Sequence, residues 1–170
     1  MANANRACNL DDSALSSVLD ECLRHFPDIR ELRKEQKTCL LNLARGKDVF
    51  AIMPTGFGKS LIFQLFPRLA KAALSLENST IIVVSSLISI MRDQVEQLKK
   101  LGFSTAAIGI GEEGEEDEKR AREGKCEIVF GSPESWLSKT WQKELQYGKL
   151  GKQTSALALD EVHSVTEWLV

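Results

Sequence analysis

Met53-Pro54-Thr55-Gly56-Phe57-Gly58-Lys59-Ser60 holds the residue types that bind a chain of phosphates. Gly56 and Gly58 permit a tight path on which the backbone N–H groups of Thr55 to Ser60 converge. Lys59 brings a full positive charge for the outer phosphates, and the Ser60 hydroxyl can ligate Mg²⁺. The general pattern G-x-x-x-x-G-K-[ST] lacks its first glycine, because Met53 stands there. Asp160-Glu161-Val162-His163 offers the second half of such a site. Asp160 would hold the ion through a water, and Glu161 would polarise an attacking water. Taken alone, the first segment also fits an ordinary strand-to-helix turn, and the second a solvated acidic turn. The order of the two and a predicted strand before each favour reading them as one site for a nucleoside triphosphate with magnesium.

Elements predicted around these residues would put them in place. Leu15, Val18, Leu19, Cys22, Leu23 and Phe26 recur at helical spacing, with Asp12 or Ser13 as cap and Pro27 as stop. A second helix is predicted from about Ile29 to Ala44, ended by Gly46. Asp48 to Met53 reads as an apolar strand leading into the glycine loop, and Lys59 to Leu74 as the helix leaving it. Thr80–Ser85 is a β-branched strand. Leu87–Leu101 is an amphipathic helix with Leu87, Ile90, Met91, Val95 and Leu98 on its apolar face. Ser104–Ile110, Glu127–Gly131 and Ser155–Asp160 complete the strands. Glu112 to Glu118 is acidic at every position but Gly114, and suits a solvated loop or a first helical turn. Its other reading is an edge that repels nucleic acid or holds a basic partner. Thr140 to Thr154 reads as a polar surface connection.

Alternating strands and helices imply an α/β fold: a parallel sheet with helices on both faces, preceded by two N-terminal helices. Residues 1–10 read as a flexible tail, 11–46 as a helical segment and 47–170 as a partial nucleotide-binding domain.

Composition narrows the classes. Hydrophobic residues make 43% and charged residues 27% of the 170, which excludes a wholly disordered or fibrous chain. Lys plus Arg is 22 against 24 acids, a net charge of −2, so any nucleic-acid contact must come from a local surface. No apolar run reaches the ~18 residues of a membrane helix, and the first residues lack the apolar core of a secretory signal. Cys8, Cys22, Cys39 and Cys126 form no C-x-x-C pair, which removes support for zinc or thioredoxin-like chemistry and fits buried free thiols.

Five segments together resemble the superfamily-two helicases, and most closely the RecQ family of DNA helicases. Phe26 with Leu32-Arg33-Lys34-Glu35-Gln36 resembles the family's adenine-reading motif. Met53 to Gln64 resembles its phosphate loop, and Val83 to Val95 its motif Ia. Phe130-Gly131-Ser132-Pro133-Glu134 resembles the segment ending in S-P-E, and Leu159 to Trp168 the acidic box running into an aromatic loop. The resemblance implies a RecA-like fold. It implies that Gln36 hydrogen-bonds adenine with Arg33 packed near it, and that Thr55, Gly56, Phe57, Gly58, Lys59 and Ser60 hold ATP. Ser60 and Asp160 would hold Mg²⁺, and Lys59, Asp160, Glu161 and His163 would serve catalysis. His163 and Trp168 would couple the ATP site to DNA, with Ser85 and the following helix start on single-stranded backbone and Trp168 stacking on a base. Phe57, Ser86 and Leu32 depart from the family's usual residues.

The family implies further elements beyond Val170: more strands of this sheet and a second motor domain with arginine fingers. The expectation for these 170 residues alone is weak Mg-ATP binding, no unwinding of DNA and an unpaired apolar sheet edge. Within the complete protein the expectation is ATP hydrolysis coupled to 3′-to-5′ unwinding of DNA that is single-stranded or carries a single-stranded tail. The location implied is nuclear in a eukaryote and cytoplasmic otherwise, with no membrane partner. The alternatives are a catalytically dead, helicase-derived DNA-binding remnant and another P-loop NTPase; a GTPase is disfavoured because no N-K-x-D motif is present.

Overall fold

In the computed structural model residues 7–111 and 114–160 are described. In chain order the elements are α1 (Asp12–Leu23), α2 (Lys34–Ala44), α3 (Ser60–Ala73), β1 (Thr80–Val84), α4 (Ile88–Lys100), β2 (Thr105–Ile108) and α5 (Glu115–Arg122). There follow β3 (Ile128–Gly131), α6 (Pro133–Leu137), α7 (Lys139–Tyr147), α8 (Lys149–Gln153) and β4 (Thr154–Leu159). The strands form one parallel sheet in the order β2-β3-β1-β4.

Period-two alternation divides the core. Ala107, Phe130, Ile128, Ile81 and Val83 point to one face, where α1 to α4 bring Leu15, Leu19, Leu40, Leu65, Leu69, Met91 and Leu98. Ala106, Ile108, Val129, Ile82 and Val84 point to the other, against Ala121, Trp136, Trp141 and Leu150 of α5 to α8. Register keeps the layers aligned: Val83 sits beside Phe130 and Ala158, and Phe130 beside Ala107. Each fully buried aliphatic side chain contributes ~1.5–3 kcal/mol, so the doubly covered central strands β1 and β3 carry much of the stability. Gly131 is required at the end of β3, because a Cβ there would lie 2.6 Å from both Ile108 and Trp136.

Several expectations need correction. The stretch from Asp48 to Met53 belongs to no strand. Among the described residues β4 pairs only with β1, so no ladder reaches this segment. Val49 and Met53 pack against the core, while Phe50 and Ile52 are 75% and 85% exposed. A groove of about 720 Å³ runs along that side of β4, lined by Val49, Phe66, Trp136, Leu157 and Leu159 among others.

Thr140–Thr154, expected as a polar surface connection, is mostly α7 and α8, anchored by buried Trp141 and Leu150. The hydroxyl of Ser138 caps α7. α1 is capped by Asp11, whose carboxylate accepts from Ala14 N at 2.8 Å, and it ends at Leu23, before Pro27. α2 starts at Lys34, a turn later than expected. In α4, Met91, Val95 and Leu98 are buried, but Leu87 and Ile90 are exposed. Cys8 falls in the expected loose tail, yet it is buried: its N–H donates to Ala44 O at 2.9 Å and its Sγ to Ala73 O at 3.4 Å. The acidic stretch, as far as it is described, is the first turn of α5, with Asp117 held by Lys99 and Arg120.

Candidate functional site

The direction of α3 decides where the glycine loop lies. Near its start, Phe63 meets the Phe130 ring edge-on at 6.1 Å between centroids, close to the carboxyl end of β3. Five residues later Arg68 donates from Nε to Glu127 Oε1 at 2.8 Å, just before β3 begins. The helix therefore runs antiparallel to the strands. Its N-terminus, Ser60, sits at the carboxyl end of the sheet, and the loop 54–59 lies there with it. In open parallel sheets this is the end that builds ligand sites.

Asp160 lies at the same end. It follows β4 directly, is half-buried, and its N–H donates to Val84 O at 3.0 Å. The N–H of Ser85 donates to Gly131 O at 3.1 Å. The carboxyl end of β1 is thus stitched to β3 on one side and to the residue after β4 on the other. The glycine loop and Asp160 are carried to one end of one sheet.

Within the loop, Gly56 and Gly58 have φ of 76° and 79°, a left-handed conformation that side chains with a Cβ rarely adopt. Phe57 N donates to Pro54 O at 3.2 Å and closes the turn between them. Lys59 folds over the loop's first limb, donating from Nζ to Met53 O at 3.2 Å and Pro54 O at 3.3 Å. Ser60, half-buried, begins the helix, and the next two N–H groups, of Leu61 and Ile62, donate to Gly58 O at 3.2 Å and Lys59 O at 3.1 Å.

Gln36 ties α2 to this loop. It is 4% exposed. Its Nε2 donates to Phe57 O at 3.2 Å and Gly58 O at 2.9 Å, and its Oε1 accepts from Arg33 N at 2.9 Å. A Cβ on Gly58 would come within 2.7 Å of that amide nitrogen, so the glycine is needed for the approach as well as for its φ. The Arg33 guanidinium lies over the Phe57 ring, 4.2 Å from its centroid. The family resemblance implied a nucleobase beside Gln36 and Arg33; their partners here are loop carbonyls and the Phe57 ring, contacts no motif spacing announces.

Ser85 is 3% exposed, so its hydroxyl does not present itself to a phosphodiester in this arrangement. The exposed hydroxyl groups at the start of α4 belong to Ser86 and Ser89, beside exposed Leu87, Ile88 and Ile90. Ser132 caps α6, accepting from Ser135 N at 3.2 Å with Pro133 at the first helical position. The Ser132 hydroxyl and backbone N–H bonding hold the Glu134 carboxyl below the usual range. Glu161, His163 and Trp168 lie outside the described residues. Among the described residues no cluster of three His, Cys, Asp or Glu side chains could hold a metal, and no helix is long and apolar enough to cross a membrane.

Comparison with known proteins agrees with this geometry. The fold is similar to that of the UvsW helicase from bacteriophage T4, with a TM-score of 0.59 at 17% identity over 94% of this chain and 53% of that one. In sequence the chain is 31% identical to the ATP-dependent DNA helicase hus2/rqh1 of Schizosaccharomyces pombe over 94% of its own length and 13% of that protein. It is 28% identical to the ATP-dependent DNA helicase RecQ of Haemophilus influenzae over 94% of its length and 25% of that protein. The ATP-dependent helicase wrn-1 of Caenorhabditis elegans is 36% identical over 86% of this chain and 13% of that protein. The chain therefore spans a quarter or less of these three relatives. A family model for the DEAD/DEAH box helicases matches residues 33–169. With the loop, the acidic strand end and the parallel sheet in their places, the chain belongs to the DEAD/DEAH box helicase family.

Proposed function

We propose that this chain is the nucleotide-binding part of the first motor domain of a RecQ-like DNA helicase, using ATP with Mg²⁺. The observation that supports the reading is that the glycine loop and Asp160 both lie at the carboxyl end of one parallel sheet. Two left-handed glycines, the start of a 14-residue helix and a lysine that donates to loop carbonyls make a cradle fitted to phosphate oxygens. Lys59 would exchange the Met53 and Pro54 carbonyls for the outer phosphates, and Ser60 with Asp160 would hold the ion. The metal would neutralise charge developing on the transferred phosphoryl group. Glu161 would orient the attacking water, and His163 and Trp168 would link the site to DNA. Single-stranded DNA would run past the start of α4, where Ser86 and Ser89 are exposed. Hydrolysis coupled to unwinding of DNA would be the work of a RecQ-like helicase as a whole.

Equilibrium binding of a fluorescent ATP analogue with magnesium tests the nucleotide reading. Lys59→Ala should lower affinity at least tenfold, and excess ATP should displace the probe while excess GTP displaces it poorly. Binding indifferent to Lys59 would remove the reading.

A further inference from the structure

Phe57 is the single side chain between two left-handed glycines, and it is half-buried at the tip of the loop. Its ring supports the Arg33 guanidinium, whose carbon sits 4.2 Å from the ring centroid. The same two residues are joined a second way: Arg33 N donates to Gln36 Oε1, and Gln36 Nε2 donates to Phe57 O. An arginine at the end of a flexible stem is thereby held at the edge of the phosphate cradle by both its backbone and its charged end. A guanidinium is planar, and Phe57 covers one face. Arg33 is exposed, so the other face is turned away from the ring toward solvent. Guanidinium planes stack on flat π-systems as readily as on protein rings.

We propose that Phe57 is a positioning residue that sets affinity for the nucleobase by holding Arg33 as a stacking plate for a purine. The proposal rests on the reading of the loop as a nucleotide site. Phe57 need not touch the nucleotide. Its part is to immobilise the arginine beforehand, so that binding a base does not have to order that side chain. The triphosphate, bound by Lys59 and the helix start, should be indifferent to it.

The test compares two ligands on the whole 170-residue chain by calorimetry, each with magnesium: ATP, and inorganic tripolyphosphate, which has no base. The quantity read is the ratio of the two affinities. Phe57→Leu keeps the apolar bulk and removes the π-face, and should lower the ratio about two- to fivefold. Phe57→Tyr should restore it. Arg33→Ala should lower the ratio at least as far, and adding Phe57→Leu to Arg33→Ala should change it no further. Equal weakening of both ligands by Phe57→Leu would show that the ring only shapes the loop, and would overturn the proposal while leaving the nucleotide reading intact. Additive effects of the two substitutions would overturn it as well. Failure of the unmodified chain to bind tripolyphosphate would instead overturn the nucleotide reading, and the proposal with it.

Discussion

Gln36→Glu is a sharp test of the link between α2 and the loop. The amide's orientation follows from its neighbours: two carbonyls need the NH₂ group, and one N–H needs the oxygen. The substitution keeps size and the accepted bond from Arg33 but removes both donors. It also sets an anionic oxygen against the carbonyls of Phe57 and Gly58. Two neutral hydrogen bonds at ~0.5–1.5 kcal/mol each give a loss of about 1–3 kcal/mol. For a chain of this size that is a fall in Tm of about 2–12 °C. The deficit should depend on pH. A carboxyl facing two carbonyls in a buried position favours its neutral form, so its folded pKa lies above the unfolded value of about 4.3. The protonated acid can donate one bond again. Stability relative to the parent is therefore recovered below about pH 4 and lost as pH rises through the raised folded value. Urea melts of both proteins between pH 4 and 7.5 would read this, with Gln36→Leu as a variant whose deficit does not titrate. A deficit for Gln36→Glu that stays flat, or grows on acidification, would refute the account of how α2 holds the loop.

Burial, before any charge effect, raises the Cys22 thiol to about 11, and Cys8, Cys39 and Cys126 are buried as well. A thiol reagent at pH 8 should label the native protein slowly and all four cysteines promptly in denaturant; prompt labelling of native Cys22 would contradict the packing of α1. On the outer side of β4, Leu157 and Leu159 are 57% and 45% exposed. Leu157→Lys should reduce concentration-dependent association in light scattering while changing stability by no more than ~0.5 kcal/mol. Unchanged association would exonerate this edge.

Much of this organisation was legible in the residues. β-branched Thr80-Ile81-Ile82-Val83-Val84 is a strand in any environment that covers both faces, and it became β1. The apolar spacing of α1 needed only the 3.6-residue repeat. Val49 to Met53 misled because composition cannot say whether a neighbour exists to complete a ladder; with none among the described residues, Phe50 and Ile52 stand in solvent. α7 was missed because Trp141 and Leu145, one turn apart on a nine-residue helix, are too few to show a periodic signal. The glycine loop announced itself through residue types, but its hold on Gln36 spans 21 and 22 positions and runs through main-chain oxygens, which carry no sequence signature. Ser85 shows the converse, a residue placed by resemblance on a surface and by packing inside.

The two hydrogen bonds at the end of β1 have a mechanical consequence. Ser85 N to Gly131 O and Asp160 N to Val84 O clamp three chain segments that are far apart in sequence into one short crossbar. The start of α4 hangs from one part of that crossbar, the cap of α6 from another, and Asp160 from the third. Moving the acidic residue away from β1 would break its main-chain bond to Val84, the neighbour of the residue bonded to β3. The starts of α4 and α6 therefore share one anchorage, the carboxyl ends of β1 and β3, with the residue after β4 tied to the same place.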